Sequence, residues 1–150
     1  MWKKILGFLF VIIIVISGIK FFAKYTNENH ILYENKDLGI GFLIPKGYSN
    51  NPFKIEENIQ EYSTVINFLE PNSKALVFTI YYMDKDYWEK EVKDNFSVSY
   101  TEIYKDDNTI ILCVNVSDIQ YDINDDKQRE KYFKLFELRD EICESLYFIK

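Results

Sequence analysis

The sequence is poor in the residues that most often build catalytic and metal sites. It contains one histidine and two cysteines in 150 residues, and its five glycines are scattered, so it lacks a glycine-rich loop that could cradle a phosphate. A lone His30 in a polar stretch, without cysteine or carboxylate partners at suitable spacing, does not make a zinc site. We therefore predict no metal, no cofactor and no catalytic residue, and interpret His30 as a solvated linker residue.

Basic residues are scarce in most of the chain. After residue 30 there are 14 basic and 23 acidic residues, whereas the first 30 residues hold four lysines and one glutamate. Nucleic-acid binding depends on neutralising phosphates with Lys and Arg. The acidic body is therefore predicted not to bind nucleic acid and to be repelled by anionic lipid. The same charge also keeps a small domain soluble.

The chain opens with a long apolar run. Ile5 to Ile19 carry no charge, and Phe21 and Phe22 extend the run past Lys20. As a helix, residues 5–23 would be about 28 Å long, close to the thickness of a bilayer core of about 30 Å. We predict one N-terminal transmembrane helix in which residues 5–22 contact the lipid bilayer. Residues 1–24 are then an anchor or signal segment, and residues 25–30 a linker.

Two main fates of this segment remain open. Signal cleavage favours small residues in an A-x-A-like pattern, which Ile16-Ser17-Gly18 fits weakly, and no cysteine follows the run for lipoprotein processing. We prefer an uncleaved anchor over a cleaved signal peptide or a buried core helix. This predicts a single-pass protein of the cell membrane with its C-terminal domain outside, the alternative being a protein secreted after cleavage.

Alternating apolar residues predict antiparallel hairpins in residues 31–150. Three strand pairs are expected, each joined by a turn-type cluster: 31–34 with 40–44, 63–69 with 74–83, and 98–104 with 109–117. Asp84 can cap a short middle helix ending at Val92. Residues 124–126 can cap a long C-terminal helix whose apolar positions recur up to Ile149. The prediction is one α+β domain, with an antiparallel sheet of about six strands and the long helix packed on one face.

Acidic side chains suggest two further kinds of site. Residues 122–126 begin like an EF-hand loop, but Lys127 stands where the loop needs Gly and Phe133 where it needs Glu. Helix capping explains this cluster more simply. Glu56, Glu57, Glu61 and Glu70 could supply the paired carboxylates of a glycoside hydrolase, which must lie about 5–10 Å apart in a cleft.

The cysteines, Cys113 and Cys143, invite a disulfide in an exported domain. Cys113 lies on the odd-numbered face of the strand predicted at 109–117, and the even-numbered face is the more apolar one. We expect the C-terminal helix to cover the even face, which would point the thiols apart and leave both free. If the helix covers the odd face instead, a bridge becomes possible and would add about 3–4 kcal/mol.

Aromatic residues are abundant, at 17% of the chain. Most are expected to fill the core and the sheet faces. Four lie near loops or helix ends and are predicted as candidates for an exposed platform that binds a ligand or a partner: Tyr48, Tyr87, Trp88 and Tyr121.

The stretch from Leu32 to Tyr48, LYENKDLGIGFLIPKGY, resembles the opening of PsbP-like domains. Those begin with a tyrosine, a turn, an alternating strand, and then a proline and an aromatic; the family often has Trp where this chain has Tyr48. The chain is also similar to small anchored or secreted proteins of low-GC Gram-positive bacteria that have no established activity. The resemblance implies a sheet with helices on its faces and a non-catalytic accessory role, and it transfers no catalytic residue.

Three classes of function follow. We favour a membrane-anchored, extracytoplasmic, non-catalytic accessory or protein-interaction module with an envelope protein as partner, its soluble domain being monomeric. The alternative is a ligand-binding or sensing domain that takes a sugar or peptide on exposed aromatics. A carboxylate-dependent hydrolase comes third and would require a strongly perturbed acidic pair.

Overall fold

The computed structural model describes residues 29–47, 49–118 and 120–149. Their elements follow one another in this order: β1 (His30–Asn35), β2 (Ile40–Pro45), β3 (Lys54–Ile59), β4 (Ser63–Leu69), β5 (Leu76–Asp84), α1 (Lys85–Tyr87), a π-helical turn (Trp88–Val92), a 3-10 turn (Lys93–Asn95), β6 (Tyr100–Lys105), β7 (Thr109–Asn115), α2 (Asp126–Glu144) and β8 (Tyr147–Phe148). Residues 85–95 are called the middle helical segment below. The α+β class with antiparallel strands and a C-terminal helix is confirmed.

The strands form two sheets instead of the single sheet expected. One has the order β1-β2-β8 and the other β3-β4-β5-β7-β6. All three predicted hairpins are present, and β5 is the central strand of the larger sheet. The expectation of about six strands missed β3 and β8. β3 is an edge strand with mostly exposed side chains, so no buried face imposes an alternating pattern on it, and β8 has only two residues.

The main core lies between the larger sheet and a layer made of α2 and the β1–β2 hairpin. Ile40, Phe42 and Ile44 share the inward face of β2, as their alternation predicted, and all are buried. They pack with Phe68 and Phe78, whose rings stack at 4.2 Å between centroids. Each such fully buried apolar side chain stabilises the fold by about 1.5–3 kcal/mol.

A second, smaller core lies on the opposite face of the larger sheet. The indole of Trp88, in the middle helical segment, packs there against Ile110, Leu112 and Val114. Asp84 begins this segment as predicted, because its Oδ1 accepts the Tyr87 N–H at 2.8 Å. The larger sheet is therefore covered on both faces.

This arrangement corrects the expectation for the two cysteines. The middle helical segment covers the even face of β7, so α2 packs on the odd face, where Cys113 lies. Cys113 and Cys143 form a disulfide with their Cα atoms 6.5 Å apart. The expectation of two free thiols is wrong, because the apolar even face is buried by an element other than the long helix.

α2 ends earlier than the apolar pattern suggested. Asp125 caps its start by accepting from the N–H groups of Lys127 and Gln128, each at 3.0 Å. At its other end, the Oγ of Ser145 accepts the Leu43 N–H at 2.8 Å and donates to the Ile142 carbonyl at 2.7 Å. This side chain turns the chain out of the helix and toward β2, where β8 pairs with Ile40 and Gly41.

The described chain begins at Asn29, and His30 already belongs to β1. His30 lies opposite Pro45 in the β1–β2 ladder, and its Nε2 is 3.3 Å from Glu141 Oε1. His30 is therefore part of the folded domain and not of a linker. The predicted membrane segment, residues 5–22, lies outside the described residues. Within the part of the chain that is described, none of the helices has the length and apolarity needed to cross a membrane.

Candidate functional site

The β1–β2 hairpin defines two ends of the domain. In its ladder His30 opposes Pro45 and Asn35 opposes Ile40, so the hairpin turn lies at the end away from residue 29. A six-residue strand separates its two ends by about 17 Å. We call the end that holds this turn the far end. Leu38 lies in the turn.

Several turns of the larger sheet meet Leu38 at the far end. A surface cleft of ≈ 380 Å³ is lined by Leu38, by residues 60–64 of the β3–β4 turn and the start of β4, and by Asp84 and Asn108. The Lys85 N–H donates to the Asn108 carbonyl at 2.9 Å, which joins the start of the middle helical segment to the β6–β7 turn. The antiparallel order of the strands thus brings residues distant in sequence to one surface.

Two stacked tyrosines lie at the surface of this end. The rings of Tyr62 and Tyr87 stack with centroids 5.1 Å apart and an angle of 24° between their planes. Tyr62 is 50% exposed, and its carbonyl accepts the Asp84 N–H at 2.9 Å, which fixes the turn beside α1. An adjoining open cleft of ≈ 620 Å³, which we call the tyrosine cleft, is lined by the following residues: Tyr62, Asp84, Asp86, Tyr87, Lys90 and Glu91.

Negative charge dominates the tyrosine cleft and its border. Three carboxylates and one ammonium line it, and Glu61 stands next to Tyr62. Lys90 Nζ contacts Asp86 Oδ2 at 2.8 Å, which lowers the pKa of Asp86. A hydrogen bond to Glu61 is the main cause that raises the pKa of the Tyr62 phenol. At neutral pH the phenol is therefore neutral and Asp86 carries its charge.

Of the four aromatics predicted as a binding platform, the three that the structure describes lie in different environments. Tyr87 lies in the tyrosine cleft, half-buried. Trp88 is only 1% exposed, because its indole fills the second core, and it presents no ring to a partner. Tyr121 is half-buried against Tyr132, with ring centroids 5.1 Å apart. Tyr48 lies outside the described residues.

Sequence reasoning missed Tyr62 as a surface residue. Tyr62 directly precedes the strand predicted at residues 63–69, a position that favours the core or a sheet face. The usable signal was local: the polar residues Gln60 and Glu61 precede it, and a polar cluster next to a strand marks an exposed turn.

The acidic loop before α2 is used for capping and turn formation. Asp122 Oδ1 accepts the Asn124 N–H at 2.9 Å, and Asp125 caps the helix. Among the residues that the structure describes, no group of three or more His, Cys, Asp or Glu side chains is placed to hold a metal ion.

The four glutamates considered for hydrolysis do not converge. Glu61 and Glu70 lie beyond opposite ends of β4. Glu57 accepts from the Tyr33 hydroxyl at 2.6 Å and from Asn35 Nδ2 at 2.8 Å. Glu56 neighbours Glu57 in β3 and so points to the other face of the strand.

Glu70 is buried and organises the β4–β5 turn. Its Oε2 accepts from the Ser73 N–H at 2.5 Å, the Ser73 hydroxyl at 2.7 Å and the Asn72 N–H at 3.0 Å, and its Oε1 pairs with Lys131 of α2. Burial acts to raise the pKa of Glu70, but the Lys131 ammonium and these donors outweigh it and lower the pKa to about 2. A carboxylate held ionised in this way is a structural acceptor, not a general acid.

Comparisons with protein-family models, with curated proteins and with solved structures find no match to this chain, so the resemblance to PsbP-like domains stays a prediction that rests on residues 32–48.

Proposed function

We propose that this chain is a non-catalytic accessory or protein-interaction module, held at the outer surface of the cell membrane by residues 5–22, which binds an envelope protein at its far end. The single observation that carries the proposal is the stack of the half-exposed Tyr62 on Tyr87 in an open cleft. Tyrosine is enriched at the centres of protein interfaces, since it combines a large apolar ring with a polar tip.

The topology of the domain supports binding at the far end and attachment to the membrane at the other end. Only six residues separate position 22 from Asn29, and they can span at most about 22 Å. The end of the domain that holds Asn29 would therefore face the membrane closely. The tyrosine cleft belongs to the opposite end, where a second protein has room to approach.

The disulfide supports an extracytoplasmic location. Disulfides persist in oxidising compartments and are rare in the cytosol. The Cys113–Cys143 bridge joins the larger sheet to α2, and both cysteines are buried in the main core. A domain built around such a bridge suits the outer side of a membrane.

A sugar or peptide ligand is the second candidate, and the size of the cleft favours it. Small-molecule sites usually measure about 300–1,000 Å³, and the tyrosine cleft has ≈ 620 Å³. Such sites are, however, mostly apolar and bury most of their ligand. The open cleft with three carboxylates and a lysine suits the surface of a protein better.

Site-specific photo-crosslinking in the native membrane tests the proposal. A photoreactive phenylalanine derivative, which keeps an aromatic ring, replaces Tyr62 in one chain and the exposed Glu137 of α2 in a control chain. We expect one recurrent protein adduct from position 62 that is absent from position 137. Equal adducts from both positions, or none from position 62, would contradict binding at the far end.

The predicted location is tested separately. Protease is added to intact cells, and an outer membrane, if the cells have one, is first made permeable. The protease should degrade the body of the chain. A body that becomes accessible only after the inner membrane is lysed would contradict the location, whatever the crosslinking shows.

A further inference from the structure

We infer that the partner presents a basic segment to this protein, with an arginine or lysine side chain lying against the Tyr62–Tyr87 stack. This inference deepens the proposed function and rests on it. It names the chemistry of the partner, which the proposal leaves open.

The aromatic pair supplies the first argument. Cations are attracted to the faces of aromatic rings, by about 0.5–1 kcal/mol at exposed sites and more when water is excluded. Tyr62 is half exposed, so part of its ring is open to a cation from the solvent.

The charge around the pair supplies the second argument. Glu61, Asp84, Asp86 and Glu91 border or line the two adjoining clefts, and the single lining lysine, Lys90, is paired with Asp86. Asp84 uses Oδ1 to cap α1 and lines both clefts. A guanidinium or ammonium group entering here would meet ring faces and carboxylates together, the combination that arginine recognises best.

The charge of the whole body supplies the third argument. With 14 basic and 23 acidic residues after position 30, the body attracts cations over distances of about one Debye length, roughly 8 Å at physiological salt. An acidic or phosphorylated partner would be repelled by the same field. Complementary charge of this kind raises the rate of encounter and selects the partner.

The first experiment uses the full-length chain in nonionic detergent micelles and a hexa-arginine peptide as probe, with binding followed by calorimetry. The double variant Tyr62→Ala/Tyr87→Ala should bind the peptide about tenfold more weakly than the unchanged chain. The control, Phe133→Ala, removes a 50% exposed aromatic ring from α2 and should leave the affinity unchanged. Equal affinity in all three chains overturns the inference.

A charge-matched pair of variants separates the cleft from general attraction to an acidic protein. Glu61→Gln/Glu91→Gln removes two charges at the cleft, and Glu137→Gln/Glu144→Gln removes two exposed charges from α2. The first pair should weaken binding several-fold more than the second. Equal losses mean that only net charge matters and overturn the inference. Tyrosine-dependent binding of a neutral oligosaccharide without peptide binding also overturns it, in favour of a sugar site.

The two proposals fail differently. If position 62 crosslinks to a partner and the Glu61→Gln/Glu91→Gln chain captures that partner equally well, the interaction module stands and the basic-segment inference falls. If position 62 captures no partner, the proposed function itself falls, whatever the peptide does.

Discussion

Cys113 in the centre of β7 is bonded to Cys143 near the end of α2, across 30 positions of sequence. Both residues are buried in the main core. The bond therefore joins the larger sheet to the helix that covers it, at a point where water has little access.

Loss of this bridge should lower the free energy of unfolding by about 3–4 kcal/mol, because a loop of this length is no longer closed in the unfolded chain. The double variant Cys113→Ala/Cys143→Ala, compared with the unchanged chain in urea, measures the loss. Alkylation of the denatured chain without reductant is the direct check. Modification of both cysteines would show that the bridge is absent.

A fragment consisting of residues 29–150 should be soluble and monomeric. It retains both sheets and both cores and omits the apolar run of residues 5–22. Sedimentation and circular dichroism measure this outcome. A matched fragment that starts at residue 36, and so lacks β1, should be unstable because β2 loses its partner strand. If the longer fragment is insoluble, the N-terminal segment belongs to the fold.

Glu70 should make the stability of that fragment depend on pH. Its pKa is about 2 in the folded chain, below its ordinary value of 4.5. A lowered pKa stabilises the fold above pH 4.5 and loses this contribution as the pH falls toward 2, a change of about 3 kcal/mol at most. Glu70→Gln should therefore be less stable at pH 7 and should show a flatter pH profile, measured by urea unfolding at several pH values. Glu144→Gln, an exposed control on α2, should keep the original profile.

Trp88 and Tyr62 should differ sharply in their effect on stability. Trp88→Ala removes a fully buried indole and leaves a cavity in the second core, which should cost about 3–5 kcal/mol. Tyr62→Ala removes a half-exposed ring and should cost about 1 kcal/mol or less. Thermal unfolding of the two variants measures both. Equal destabilisation would mean that Tyr62 is a packing residue and would weaken its assignment to a binding surface.

The hairpins were predictable because each depends on local information. Asn35-Lys36-Asp37 and Asp106-Asp107-Asn108 are turn clusters between alternating strands, and Asp84 and Asp125 cap the helices that follow them. These signals lie within a few residues of the structure that they specify. Local signals do not specify which face of the sheet each helix covers. That choice depends on which element packs on the apolar even face of β7, a contact between residues distant in sequence.

The distance between contacting residues also explains why the sequence does not distinguish the buried Trp88 from Tyr87, which lines the cleft. Trp88 and Tyr87 are adjacent in sequence, yet one fills the core and the other lies at the surface, and only the turn of the helical segment decides between them. The partner of Tyr87 is Tyr62, 25 positions earlier. Local patterns carry no information about such a contact, which exists only once the strands have taken their order.

The smaller sheet is complete only when β8 has paired with β2. β8 pairs with Ile40 and Gly41 of β2, and the Ile149 N–H donates to the Gly39 carbonyl at 2.8 Å, so residues 147–149 complete the sheet begun by the first hairpin. A chain that emerges N-terminus first cannot finish this sheet until residues 147–149 have left the ribosome. The β1–β2 hairpin must wait with one edge uncovered through more than 100 residues of synthesis. We therefore expect that ribosome-bound chains stalled before residue 145 are far more sensitive to protease than the released protein.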